Sequence, residues 1–365
     1  MRLKFSSFIE ERIKKYGYLW FIRQVLRYFR FHIYFRFKKP FTTPINGILI
    51  TTYRCNCKCS MCRIWGKGGA EEFGTTEMKR LVDELKTAGV DAIGFTGGEP
   101  LMRTDIFELI AYAKSKNIYT HLSTNATLLT PEAAKKLLES GLDSVSISLD
   151  SPRPGTHNGI KSLGNAHELA VRGIKNMAAE RKNSGRGPEI GVVTVISRKN
   201  IDSVLEMVEF SDKIGADNIG FMPLYFYDDK YEPGAVDRVI DSLIEMKRKG
   251  RKIDNSYAYL KLMKKYLKKG LSPLRCNASF QSVTVDCYGS YYPCFPRVHE
   301  MKPVENPGRL PVSDFMRSPA YQDMHKYVSH CKRCCANCHS ELNIMFTLKG
   351  LWETMSLSQK HLKYQ

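Results

Sequence analysis

The stretch "NGILITTYRCNCKCSMC", Asn46–Cys62, joins two patterns that belong together in one class of fold. Its first part, "NGILITT", is a short apolar run with β-branched residues, as a buried strand requires. Its second part is a loop with four cysteines in eight positions: Cys55, Cys57, Cys59 and Cys62. Four thiols this close are seldom there for packing alone. In folds built on parallel strands, sites lie at the carboxyl ends of those strands. The strand therefore predicts the fold, and the loop behind it predicts where the chemistry lies.

Strand and helix patterns alternate from here onward. "TTEMKRLVDELKTAG" reads as a helix with a Thr cap, apolar Met78, Leu81, Val82 and Leu85 at helical spacing, and a stop at Gly89. "DAIGFTGGEP" reads as a strand ending in a Gly-rich turn, "DIFELIAYAKSK" as a helix, "IYTHLSTN" as a strand, and "PEAAKKLLESG" as a helix opened by Pro131. "DSVSISLD", "EIGVVTVIS" and "ADNIGFMPL" continue as strands, separated by the helices "NAHELAVRGIKNMAAE" and "IDSVLEMVEFSDKIG". Regular alternation implies parallel strands covered by helices. Six βα-type units predict an α/β fold, a partial (βα)6 TIM-like barrel rather than a closed eight. After Tyr225 come two helical patterns, "GAVDRVIDSLIEMKRKG" and the strongly basic "YAYLKLMKKYLKKG". From Leu274 the cysteines return among short strand and turn signals, which predicts a small C-terminal α+β module. The expected division is 1–41 as an N-terminal segment, 42–226 as the barrel, 227–273 as a helical linker, 274–345 as the module and 346–365 as a tail.

Composition narrows the function classes. With 365 residues, 43% hydrophobic and 25% charged, the chain can bury a core without disulfides. Its formal net charge of +19 points to an anionic partner, either phospholipid, nucleic acid or an acidic substrate, or else to a plain Lys-rich surface. Eleven cysteines fall in two groups, the second being Cys276, Cys287, Cys294, Cys331, Cys334, Cys335 and Cys338. Clustered thiols in a long chain indicate metal binding in a reducing cytoplasm rather than a disulfide scaffold. The opening residues lack the apolar core and cleavage site of a signal peptide, and no apolar run is long enough to span a bilayer. Within residues 1–41, Arg23, Arg27 and Arg30 share one helical face and Leu19, Ile22, Leu26, Phe29 and Ile33 another. Such a basic aromatic segment either lies on an anionic membrane surface or packs its apolar stripe on the protein itself. The expected location is the cytoplasm, with peripheral attachment to the inner face of the membrane through this segment.

Thiolates ligate zinc and iron–sulfur clusters alike, and four cysteines would close a zinc site. The spacing separates the four, because Cys55, Cys59 and Cys62 stand as C-x3-C-x2-C and Cys57 is lodged in the first gap. This loop, followed by "GGEP" (Gly97–Pro100) after the second strand, resembles radical S-adenosylmethionine (SAM) enzymes. The resemblance implies that Cys55, Cys59 and Cys62 hold a [4Fe–4S] cluster whose fourth iron binds SAM, and that Cys57 is not a ligand. It implies one-electron cleavage of SAM to a 5′-deoxyadenosyl radical that abstracts hydrogen from the substrate. It assigns cofactor contacts to Gly97, Gly98, Glu99 and Pro100, with Glu99 and the turn backbone taking the SAM ammonium group. Ser123 and Asn125 after the third strand, Ser148 and Asp150 after the fourth, Thr194 on the fifth and Met61 beside the adenine complete the implied SAM site.

The second cysteine group resembles the SPASM/twitch module of the same enzymes. A hairpin between "SVTVDCY" and "YYPC" is expected to turn at Gly289, with Cys287 inside the strand as core. Full relatives continue with C-x2-C-x5-C-x3-C and one further cysteine, which "CKRCCANC" does not follow. One auxiliary [4Fe–4S] cluster is therefore expected on Cys276, Cys294, Cys331 and Cys334, with Cys338 as the alternate for either of the last two. Two clusters would require His339 as a substitute ligand, and zinc is the other alternative. The electron donor implied is a flavodoxin or ferredoxin. The segment 1–41 and the charge point to a membrane lipid or isoprenoid as substrate; the alternatives are a peptide or protein maturase and a cofactor-biosynthesis enzyme. Nucleic acid has only the charge in its favour, and an electron carrier would not need a SAM pocket.

Overall fold

A computed structural model describes residues 44–67, 71–225, 230–299, 303–304 and 310–345, together with Leu26 and Phe29. The expected membrane-binding segment 1–41 and the tail 346–365 otherwise lie outside the described residues. Six strands run in parallel: β1 (Asn46–Thr52), β2 (Ala92–Gly97), β3 (Tyr119–Thr124), β4 (Ser144–Ser148), β5 (Glu189–Ile196) and β6 (Asn218–Pro223). They are joined by α1 (Thr75–Thr87), α2 (Ile106–Ser115), α3 (Pro131–Glu139), α4 (Pro154–Lys161), α5 (Ala166–Ser184) and α6 (Glu206–Lys213). Two more helices follow, α7 (Ala235–Arg248) and α8 (Tyr257–Lys269). The sheet order is β6-β5-β4-β3-β2-β1, so each strand lies beside its predecessor and the barrel stays open.

The amphipathic patterns account for the helices. In α1, Met78, Leu81, Val82 and Leu85 are buried as their spacing predicts, and Gly89 ends the element at φ +88°. Its start differs from the expected Thr cap. Gly74 occupies the cap with no side-chain hydrogen bond, and the Thr75 hydroxyl instead donates to Asp105 Oδ2 at 2.8 Å. That contact lies 30 residues away in sequence, beyond any local cap rule. α3 follows the local rules: Pro131 opens it, and Thr130 Oγ1 accepts from Ala133 N at 3.2 Å.

The C-terminal module is less separate than the sequence suggests. Its strand β7 (Ser282–Asp286) pairs in parallel with β1, from Asn46↔Ser282 to Ile50↔Asp286, and β8 (Tyr291–Tyr292) pairs antiparallel with β7. The hairpin thus extends the barrel sheet to eight strands. Gly289 turns it at φ +76°, and Asp286 Oδ1 accepts from Tyr288 N at 3.0 Å and Ser290 N at 2.8 Å. Cys287 lies just beyond the strand rather than inside it, fully buried in the main core. Among the described residues the module also carries the longer helices α9 (Pro319–His330) and α10 (Asn337–Met345), beside short helical turns at Ala278–Gln281, Phe295–Val298 and Val312–Phe315. No helix among the described residues is long and apolar enough to cross a membrane.

Candidate active site

Parallel pairing brings the carboxyl ends of β1–β5 to one edge of the sheet, where Thr52 is level with Gly97 and Ser148 with Val193. The cysteine loop leaves β1 at this edge and packs on the turn after β2. Gly98 N donates to Thr52 O at 2.7 Å and Glu99 N to Arg54 O at 2.8 Å. Only glycine fits here: Gly97 has φ +140°, and a β-carbon on Gly98 would sit 2.0 Å from the Arg54 carbonyl oxygen. The glycines therefore admit the cysteine loop itself. Arg103 secures the same corner, with Nη1 donating to Thr51 O and Phe73 O at 3.0 Å each and the guanidinium gripping Asp105.

Glu99 is fully buried. Its carboxylate accepts from Thr124 Oγ1 at 2.6 Å, Asn125 N at 2.7 Å and Leu101 N at 3.1 Å. These bonds tie the β2 turn to the end of β3. Burial pushes its pKa up, and the three donors work against that shift. Pro100 opens the short helical turn Pro100–Met102. Asn125 turns toward the cysteine loop, donating through Nδ2 to Asn56 Oδ1 at 2.9 Å and to Cys57 Sγ at 3.5 Å. Ser123 meets His121 Nε2 at 3.4 Å, and buried Thr194 donates to Leu149 O at 2.7 Å.

α4 supplies a residue absent from the sequence reading. Lys161 is buried and pairs with fully buried Asp150 at 2.9 Å, while its Nζ donates to Ser148 Oγ at 2.6 Å. Asp150 Oδ1 also accepts from Val195 N at 3.0 Å. The backbone of α4 holds the loop too: Lys161 O accepts from Lys58 N at 3.2 Å, and Ile160 O from Ser60 N at 3.1 Å. One signal was available, since Pro154 at a first helical position marks a helix start. The prolines and glycines of "PRPGTHNGIK" masked it.

The four thiols of the loop are not equivalent. Cys57 is 1% exposed, whereas Cys55, Cys59 and Cys62 are each half-buried, as is Met61. The Cys57 thiol is within hydrogen-bonding reach of both the Cys55 and the Cys59 sulfur, and this contact raises its own pKa while lowering theirs. Cys59 falls to about 7, first through that hydrogen bond and further through the charge of Lys161. Burial pushes Cys62 up to about 11. Among the described residues, no three histidine, cysteine or carboxylate side chains are gathered to hold a single metal ion. A set of adjacent, partly open soft donors beside a buried cation fits an iron–sulfur cluster.

In the module, Cys276 packs on buried Cys294, and Cys331, Cys334 and Cys338 lie close enough for their charges to bear on one or other of this pair. Burial raises the Cys294 pKa most, followed by the charges of Cys334, Cys276 and Cys331. Cys276 is pushed up to about 12 by burial, with Cys331 and Cys338 adding to it. Cys338 is exposed, and Cys335 is fully buried under Tyr259, whose hydroxyl donates to Cys335 O at 2.7 Å. The Tyr225 hydroxyl, after β6, has its pKa pushed up by burial first and then by Cys338, Cys334, Cys62 and Cys294.

An open parallel barrel with a thiol loop at its strand ends, and a second thiol group attached to its edge, defines a protein built around iron–sulfur clusters and a small cofactor. Residues 49–211 match the radical SAM superfamily and residues 276–339 an iron–sulfur cluster-binding domain, the SPASM domain. The chain belongs to the radical SAM superfamily and carries a C-terminal SPASM domain. Its cofactors are SAM and [4Fe–4S] clusters, an auxiliary one included. It is 36% identical over 167 residues to the AdoMet-dependent heme synthase of Nitratidesulfovibrio vulgaris, covering 45% of this chain and 44% of that protein. It is 32% identical over 235 residues to the Fe-coproporphyrin III synthase of Methanosarcina barkeri, covering 58% and 57%. The chain thus spans about half the length of these relatives. SuiB of Streptococcus suis, bound to S-adenosylmethionine, shares the fold with a TM-score of 0.63 at 16% identity over 78% of this chain and 68% of that one.

Proposed function

We propose that this protein cleaves SAM reductively and uses the resulting radical on a cofactor precursor of the tetrapyrrole type. When bound, the cluster and SAM supply a one-electron break of the sulfonium and a 5′-deoxyadenosyl radical. The chain's own residues prepare the place. Cys55, Cys59 and Cys62 would hold the cluster, and the Gly97–Pro100 turn fixes the loop that carries them. Lys161 lends its charge to the thiolates from a dry position, where a charge acts strongly. Met61, Ser123, Ser148, Asp150 and Thr194 belong to the same proposed pocket. Cys276, Cys294, Cys331 and Cys334 would hold the auxiliary cluster, with Cys338 as the alternate. The division at residues 42, 227 and 274 belongs to this proposal, as does reduction by a small carrier such as flavodoxin or ferredoxin.

The observation that carries the reading is the docking of the cysteine loop on the Gly97–Glu99 turn at one sheet edge. The substrate class rests on the names of the two relatives, which favour a tetrapyrrole over the membrane lipid expected from residues 1–41. The test is anaerobic reconstitution, dithionite reduction and assay of 5′-deoxyadenosine, followed by comparative mass spectrometry of a deletion strain. Accumulation of a porphyrin precursor is expected. Failure to cleave SAM in a fully loaded sample would sink the reaction, and accumulation of an unprocessed peptide or an altered lipid would sink the substrate class.

A further inference from the structure

Six residues connect the two thiol groups. Cys294 precedes the helical turn Phe295–Val298, and His299 follows it. His299 returns to the first loop, where its Nδ1 lies 3.9 Å from Cys62 Sγ. Two contacts fix it there. Lys67, five residues beyond Cys62, donates to the Val298 carbonyl. The His299 ring stands edge-on to Phe295, with centroids 5.6 Å apart and planes at 84°. The imidazole is thus held against Cys62 by both the loop and the module.

A thiolate bound to iron can only accept a hydrogen bond, so the nitrogen that faces it must be the one carrying the hydrogen. Hydrogen bonds to cluster sulfurs are among the factors that set the reduction potential, because they stabilise the added negative charge of the reduced state. We propose that His299 is a positioning residue, supplied by the module, which donates to Cys62 and raises the potential of the SAM-binding cluster. This rests on Cys62 being a ligand of that cluster. His299 acts through Cys62 and does not touch the reacting atoms. Its place five residues after Cys294 means that ordering of the auxiliary site also seats the donor. The two centres are then linked mechanically as well as by proximity.

The experiment is a redox titration of the reconstituted full-length protein followed by electron paramagnetic resonance. The SAM-binding cluster is identified as the signal that changes when SAM is added. His299→Leu is expected to move its midpoint to a more negative potential. His299→Asn, whose amide nitrogen can take the place of Nδ1, is expected to stay near the wild type. An unchanged potential in the Leu variant, or an Asn variant that falls with it, overturns the proposal. If the Leu variant does not hold its clusters, wild-type protein labelled with 15N-histidine gives the answer: a 15N hyperfine coupling on the SAM-responsive signal is expected, and its absence overturns the proposal. A wild type with no SAM-responsive signal would instead refute the reading of the first loop.

Discussion

Gly98→Ala tests whether the turn after β2 exists to seat the cysteine loop. The added methyl carbon would lie 2.0 Å from the Arg54 carbonyl oxygen, 2.6 Å from its carbon and 2.9 Å from the Tyr53 carbonyl oxygen. Comfortable contacts fall at about 3.5–4.0 Å, so the two backbones must part by roughly 1.5 Å. All three obstacles are backbone atoms, so no side chain can rotate to make room. The two hydrogen bonds at this contact, from Gly98 N and Glu99 N, would be lost with it. Overpacking costs about 1–3 kcal/mol and each lost hydrogen bond about 1 kcal/mol, giving a total of about 3–5 kcal/mol. Arg54 adjoins Cys55, so the displacement passes directly to a proposed ligand. The assay is urea unfolding, paired with iron content after anaerobic reconstitution. Gly155→Ala serves as the control, because nothing lies within 4 Å of its new carbon and it sits in α4. The control should change stability by no more than about 1 kcal/mol. A Gly98→Ala protein with an unchanged midpoint and full iron would refute the reasoning.

Two further outcomes follow from the same corner. Lys161→Met leaves buried Asp150 without its cation and should cost about 3–5 kcal/mol in thermal or urea unfolding, while the added Asp150→Asn should recover part of the loss. A double variant as unstable as the sum of the singles would show that the pair is not coupled. In cluster-free protein, alkylation of Cys59 should rise through a pH of about 7, whereas Cys62 should remain slow until about 11. Cys57→Ala removes the hydrogen bond that favours the Cys59 thiolate, so the Cys59 profile should move to higher pH. Peptide mass spectrometry of the labelled protein reads both cysteines at once, and identical profiles would contradict the assignment.

The barrel was legible in the sequence because each βα unit is local. The apolar spacing of Met78, Leu81, Val82 and Leu85, the helix opener Pro131 and the terminator Gly89 act within a few residues. The hairpin at Gly289 was legible for the same reason. What was not legible depends on distant contacts. The pairing of Asn46 with Ser282 lies in no local pattern, so the module read as a separate unit. Thr75 looks like a cap until Asp105 is seen beside it. Lys161 sits in a stretch whose prolines and glycines suggest a loop, and His299 gains its interest only when Cys62 is its neighbour. The inequality of the four thiols was proposed from spacing and family resemblance; the burial of Cys57 under Asn125 is a separate observation on the same side.

That inequality is the central claim, since a SAM-binding cluster must keep one iron free of protein ligands. The most direct measurement compares Cys57→Ala with Cys59→Ala after anaerobic reconstitution, by 5′-deoxyadenosine formed from SAM under dithionite. Cys57→Ala should retain SAM cleavage and the SAM-responsive cluster signal, and Cys59→Ala should lose both. Loss of cleavage in Cys57→Ala, or its survival in Cys59→Ala, would contradict the account.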